Sequence, residues 1–265
     1  MTAIAANLQA VRDRIARAAR AAQRSPGSVV LLAVSKTIPA DRIAEAHTAG
    51  QRAFGENTVQ EAVEKITNLA LRPAPEWRVA RVRQENGRTR SDAIIPSAGV
   101  ASPEGPLLLP LEWHFIGPVQ SNKTGQIAAH FQWVHSVDRA RIAERLNSAR
   151  PEELPPLNVC IQVNVSGEAS KSGVTPGAEL ALAEAISKLP RLRLRGLMAI
   201  PEPTSDPALQ RQRCALLREL KERLAARGVA LDTLSMGMSD DLEAAILEGA
   251  TMVRVGTAIF GSRSR

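Results

Sequence analysis

The sequence predicts an α/β fold: a single (β/α)8 TIM-like barrel with an extra N-terminal helix and a long inserted loop, one domain over 1–265. Three observations carry this expectation. Eight apolar, β-branched runs alternate with stretches of helical spacing, the pattern of a parallel sheet buried on both faces. Eight such units fit a closed barrel better than an open sheet, which usually has fewer strands. The chain has 265 residues, 44% of them hydrophobic, enough for one large core.

The elements follow in order. Ile4, Leu8, Val11 and Ile15 recur at helical spacing, so an amphipathic helix is expected over 2–22. That segment is rich in arginine, yet it has neither the apolar stretch nor the cleavage site of a secretory signal. The expected strands are 29–35, 52–55, 113–117, 133–137, 158–165, 192–200, 231–236 and 252–256. Helices are expected at 40–49, 58–71, 122–130 and 139–149. A further helix, 176–188, opens on Pro176, where the missing N–H costs nothing. The longest, 207–227, ends at Gly228, a residue suited to a C-cap. The last, 240–248, begins with acidic residues and ends at Gly249, in keeping with the helix dipole.

One stretch, 73–110, breaks the rhythm. It holds prolines 73, 75, 96, 103, 106 and 110, and arginines 78, 81, 83, 88 and 90 follow closely on Arg72. Long structureless connections are usually functional or disordered. Lying between a helix and a strand, it belongs on the N-terminal face of the barrel, and it is read as an inserted, mobile loop.

Composition narrows the function classes. The net charge is +7, but aromatic residues make up only 3% and tyrosine is absent, so a base-stacking platform for nucleic acid is poorly supplied. No apolar run approaches twenty residues, and no membrane span is expected. Cys160 and Cys214 lie in apolar patterns and in no metal or redox spacing. They read as buried thiols in a reducing cytoplasm, which makes the expected location cytoplasmic.

In a barrel, functional residues lie where strands end. Lys36 directly follows the first strand. Taken alone it reads better as a lysine snorkelling to solvent than as an amine of lowered pKa. Asn57 follows the second strand. His114 lies within the third, where an interior histidine with a satisfied ring is the plain alternative. Ser121, Asn122 and Lys123 open a helix nearby. Met198, at the end of the sixth strand, reads as wall. The last two strands lead into Ser239, Gly256 and Thr257, small and hydroxylic residues at the place where barrels commonly cradle phosphate. Arg254, inside the eighth strand, requires a ligand or a buried partner, and an Arg–carboxylate pair is the alternative to a ligand. Together these residues set a candidate amine opposite a phosphate cup, an arrangement that suits pyridoxal 5'-phosphate.

At these residues the chain resembles the pyridoxal-phosphate homeostasis protein family, single-domain proteins similar to the barrel domain of alanine racemase. AVSKT, FGEN, WHFIGPVQSNK, NVSGEASKSG, RGLMAIP, SMGMSDDLEAAI and MVRVGTAIFG occur in that order, covering 29–66 and 113–263. The resemblance implies a Schiff base on Lys36, a phosphate held by Ser239, Gly256 and Thr257, and Arg254 against the pyridine nitrogen. It also implies Asn57 and Met198 lining the ring pocket, with His114 and 121–123 near the mouth. An arginine at that nitrogen weakens the ring as an electron sink. Racemases of this class use a tyrosine from a partner's second domain, which this chain is not expected to supply. The implied role is therefore binding, with buffering or delivery of pyridoxal phosphate to apo-enzymes, by a protein expected to be monomeric and non-catalytic. The alternative is a pyridoxal-phosphate-dependent amino-acid racemase or lyase. The departure from the family is the long 73–110 loop.

Overall fold

A computed structural model describes residues 2–70, 110–168 and 172–261. The 73–110 loop, apart from Pro110, lies outside the described residues, as do the six clustered arginines.

Eight strands form a closed barrel in sequence order, each parallel to its neighbours: β1 (Val30–Val34), β2 (Ala53–Glu56), β3 (Glu112–Phe115), β4 (Trp133–Val137), β5 (Leu157–Gln162), β6 (Leu192–Met198), β7 (Thr233–Ser235) and β8 (Met252–Val255). The helices are α1 (Ala3–Ala21), α2 (Ala40–Thr48), α3 (Val59–Ala70), α4 (Thr124–His130), α5 (Ala140–Ala149), α6 (Glu179–Ser187), α7 (Pro207–Ala226), α8 (Leu242–Leu247) and α9 (Thr257–Phe260). The expected fold class and strand order are those observed. The strands are mostly shorter than their apolar runs, because the runs continue into buried loop positions such as Ile116, Ala199 and Met236.

Two apolar layers follow from the alternation of side chains along each strand. The main layer lies between strands and helices and includes Phe54, Phe115, Val134, Ile161, Leu217 and Val253. The interior is smaller: Leu32, Ala53, Ile116 and Met252, with Val34, fill one side. Trp133, Cys160 and Met198 fill the other. Arg195 stacks its guanidinium 4.7 Å from the Trp133 ring.

The extra helix α1 buries Ile4, Leu8, Val11 and Ile15, as their spacing predicts, and Thr2 accepts the Ala5 N–H at its start. It packs on α2, α8 and α9. Asn7 donates to the Ile259 carbonyl at 2.9 Å and Arg12 to the Ala49 carbonyl at 3.1 Å, so α1 ties the two ends of the barrel wall together.

Two helix starts differ from expectation for local reasons. Gly177 has φ +103, outside helical space, and its N–H donates to Glu179 Oε2 at 2.6 Å. Pro176 therefore sits in a turn, and α6 starts at Glu179. Similarly, Asp241 accepts the Met238 N–H at 2.6 Å, closing a turn that delays α8 to Leu242. Gly228 and Gly249 lie beyond α7 and α8 with φ +84 and +94, as C-terminal caps require. Helix 122–130 divides into a 3-10 turn, Ser121–Lys123, and α4.

Candidate functional site at the barrel mouth

The site is built where strands end. Leu32 and Val34 face the barrel interior, and alternation directs Lys36 to the same side. Lys36 is half-buried. The strand pairing corrects one expectation: β1 pairs with β8, Ala33 opposite Val255. Closure of the barrel thus makes Lys36 and the Gly256–Thr257 turn neighbours rather than opposites. Gly256 packs so tightly on β1 that an added Cβ would stand 3.1 Å from the Val34 carbonyl oxygen.

The cup has two walls. After β8, Gly256 leads into α9, and the N–H groups of Thr257 and Ala258 have no acceptor among the described residues. After β7, Gly237 turns with φ +91, and the Met238–Asp241 bond folds the loop so that Ser239 lies at its half-buried tip. This second wall is buttressed from α1. Arg14 donates to the Ser239 carbonyl at 3.1 Å and pairs with both Glu243 oxygens at 2.9 Å. A cleft of about 740 Å³ opens beside it, between the loops carrying Pro201–Ser205 and Met238–Asp241.

Arg254 lies under the cup and is 3% exposed. Its Nη1 donates to the Ser235 carbonyl at 2.6 Å and to Ser235 Oγ at 2.8 Å, and its Nη2 donates to the Ala199 carbonyl at 2.7 Å. No carboxylate pairs with it among the described residues, so the Arg–carboxylate alternative does not describe this site. Burial pulls its pKa down to about 10, with the more distant Asp241 opposing, and at neutral pH it remains a cation.

A directed chain of hydrogen bonds runs from Arg254 across the interior. Ser235 Oγ is 2.8 Å from His135 Nδ1, and His135 Nε2 is 2.9 Å from His114 Nδ1. His114 Nε2 lies 3.9 Å from Glu112 Oε1, which accepts the Trp133 indole N–H at 2.7 Å. Because arginine only donates, the Ser235 hydroxyl proton is available for His135 Nδ1. His135 then donates through Nε2, and His114 turns its own N–H toward Glu112. That tautomer places a proton, not a lone pair, before the carboxylate. Burial lowers the pKa of both histidines, and Arg254 adds to the effect at His135. Both are therefore neutral. Glu112 falls to about 2, lowered most by the His114 N–H turned toward it and further by the Trp133 indole N–H, against the opposing effect of burial.

The plain alternative for His114, an interior histidine, has support in its burial. It is 1% exposed and stacks on Trp133 with ring centroids 5.4 Å apart, so it belongs to the interior wiring beneath the rim. Met198 is fully buried beside Trp133 and Cys160, a wall residue. Asn57 does reach the mouth, where its buried Oδ1 has no partner. It shares a groove of about 330 Å³ with Gln120 and Lys123, so the 121–123 segment and Asn57 come together. Sequence reasoning missed His135 and Ser235. Their signal was the same as that of His114: a polar residue at an inward position of an apolar strand.

The residues present suit a phosphorylated aldehyde. An amine lies just past β1, and N–H groups without an acceptor among the described residues, with hydroxyls, lie past the ends of β7 and β8. A buried cation lies beneath, and an amide oxygen without a partner among the described residues lies across the mouth. A parallel barrel with such a rim defines the class of the alanine racemase N-terminal domain, and the family model of that description matches residues 6–264. The chain is 56% identical over 263 residues to the pyridoxal phosphate homeostasis protein of Pseudomonas aeruginosa, covering 99% of this chain and 97% of that one. It is 51% identical to the Escherichia coli K12 protein of the same name, covering 99% and 98%. The chain belongs to the pyridoxal phosphate homeostasis protein family. Among solved structures, PipY of Synechococcus elongatus with PLP bound is 35% identical, with TM-score 0.69 and coverage of 97% of this chain and 100% of that one. A protein from Bifidobacterium adolescentis described as unknown has TM-score 0.80 at 34% identity, covering 97% and 94%. Alanine racemase from Corynebacterium glutamicum, at 14% identity and TM-score 0.62, shares the fold.

Cys160 and Cys214 are buried, and burial raises both thiols to about 12. No described helix is long and apolar enough to cross a membrane.

Proposed function

We propose that this chain holds pyridoxal 5'-phosphate through a Schiff base on Lys36 and serves to buffer or deliver it within the cytoplasm, without turnover of an amino acid. The carrying observation is the adjacency of β1 and β8. It brings the amine-bearing residue beside the Gly256–Thr257 turn, above a buried arginine that no carboxylate contacts among the described residues. When bound, the cofactor supplies an aldehyde for the amine and a doubly charged phosphate for the cup.

Each residue has a distinct task in this reading. Ser239, Gly256 and Thr257 hold phosphate with hydroxyl and backbone N–H groups. Arg254, fixed in orientation by three bonds, faces the ring nitrogen and keeps it unprotonated, because a guanidinium does not readily give up a proton. Asn57 supplies its unpartnered oxygen to the ring substituents, and Met198 backs the pocket. His114 acts from below, through His135 and Ser235 on Arg254. The names of the Pseudomonas and Escherichia relatives, and the PLP recorded in PipY, support the assignment. With arginine at the ring nitrogen and no tyrosine in the sequence, carbanion chemistry is poorly served, which favours binding over racemisation.

The test is spectroscopic and chemical. Purified protein given pyridoxal phosphate should develop an imine absorption band, and borohydride followed by peptide mapping should place the reduced adduct on Lys36. An adduct elsewhere, or none, sinks the reading. Racemisation or cleavage of L- or D-amino acids well above the rate of free cofactor would replace binding by catalysis.

A further inference from the structure

The peptide that carries Lys36 is held from outside the barrel by side chains with no part in the cofactor pocket. Ser35 points outward, its Oγ donating to Glu56 Oε1 at 2.6 Å while its carbonyl accepts Lys65 Nζ at 2.7 Å. On the other side of Lys36, the Thr37 N–H donates to Glu61 Oε1 at 2.5 Å. Lys65 joins the two carboxylates, 2.9 Å from Glu56 and 2.5 Å from Glu61. All three donors of its ammonium are thereby engaged. The Glu56 side chain is fully buried, and that of Lys65 is 9% exposed.

Thr37 adds a second, independent observation. Its φ is +64, a left-handed conformation that a β-branched residue rarely adopts and that persists only where surrounding bonds over-determine it. Here the bond from its N–H to Glu61 does so. Glu61 and Lys65 are one turn apart on α3, and Glu56 ends β2, so the network connects two elements to the two peptides that flank Lys36. A buried ion pair serving the fold alone has no need to engage both of those neighbours.

We propose that Glu56, Glu61 and Lys65 form a clamp that sets the direction in which Lys36 leaves the barrel wall, making them positioning residues for its amine. The clamp fixes residue 35 by carbonyl and hydroxyl and residue 37 by N–H. The intervening Cα is left with one orientation, and the Cα–Cβ bond of Lys36 is set toward the barrel interior. This inference rests on the reading of Lys36 as the cofactor lysine.

Two ligands separate positioning from general support. Pyridoxal 5'-phosphate needs the amine, whereas 4'-deoxypyridoxine 5'-phosphate keeps ring and phosphate but has no aldehyde. In Lys65→Met and in the milder Glu61→Gln, imine formation should slow about tenfold or more while affinity for the deoxy analogue stays within about twofold of wild type, as loss of orientation alone predicts. Lys65→Arg should recover part of the rate. Equal weakening toward both ligands, with a lowered Tm, would mean that the cluster only holds the fold and would overturn the proposal. Unchanged imine formation in both variants would also overturn it. If the wild-type protein forms no adduct on Lys36, the cofactor reading falls and the clamp with it, a result distinct from either of these.

Discussion

Gly117 and Asn57 approach so closely that a Cβ on the glycine would fall inside contact distance of the Asn57 carbonyl oxygen. The obstacle is backbone on both sides, held further by Ser136 Oγ, which donates to the Gly117 carbonyl at 2.5 Å. Gly117→Ala should therefore push the β2 end away and displace Asn57 from the mouth. Overpacking of this kind costs roughly 1–3 kcal/mol. Thermal denaturation should show the loss, and a cofactor titration should show weakened binding. An alanine variant with wild-type Tm and affinity would mean that the two strand ends separate freely.

Arg254→Lys should fail as a conservative change. The guanidinium spans acceptors on Ser235, which ends β7, and on Ala199, just past β6, and a single ammonium on a different stem does not reach them together. Leaving a buried acceptor unsatisfied costs about 1–3 kcal/mol. A lowered Tm is expected together with an altered spectrum of bound pyridoxal phosphate, since in the proposed reading Arg254 is the group that faces the ring nitrogen. A spectrum identical to wild type would place Arg254 away from the ring.

Much of this arrangement is legible in the chain itself, and the reason is physical. Inward positions of a closed parallel barrel are expected to be apolar, so Arg254 and His114 stand out against their strands, and Lys36 against the run that precedes it. Their meeting point follows from strand order. The adjacency of Lys36 to Gly256 is less visible, because it depends on closure of the sheet rather than on any local pattern. The clamp residues are less visible still. Glu61 and Lys65 look like an ordinary exposed i,i+4 pair until tertiary packing buries the lysine against Glu56. The helix starts at Glu179 and Leu242 escape for a related reason: side-chain bonds to loop N–H groups compete with helix formation.

Arg14→Ala tests whether the extra helix supports the cup. Its pairing with Glu243 is partly exposed and contributes little to stability, so Tm should hardly change. The bond to the Ser239 carbonyl, however, restrains the Met238–Asp241 loop, the proposed phosphate wall. Weaker binding of pyridoxal phosphate, with smaller loss for unphosphorylated pyridoxal, is the expected result. Equal losses for the two ligands would separate Arg14 from the phosphate wall.

The buried histidines predict how stability depends on pH. His114 and His135 have folded pKa values below the usual 6.5, through burial first, so each binds its proton more readily in the unfolded chain. Their contribution is complete above about pH 6.5 and is lost as pH falls toward the depressed values, with a combined slope of at most about 2.7 kcal/mol per pH unit. Glu56 acts in the opposite sense. Burial raises its pKa despite Lys65, so protonation in the folded state offsets part of the loss as pH approaches 4.5. Glu112, held at about 2, adds a separate loss between about pH 4.5 and 2. Denaturant titrations from pH 8 to 5 should show falling stability below about pH 6.5, and His135→Gln should roughly halve the slope by removing one titrating ring. A profile that is flat over this range, or one with the same slope in the variant, would mean that the interior chain takes up protons without unfolding.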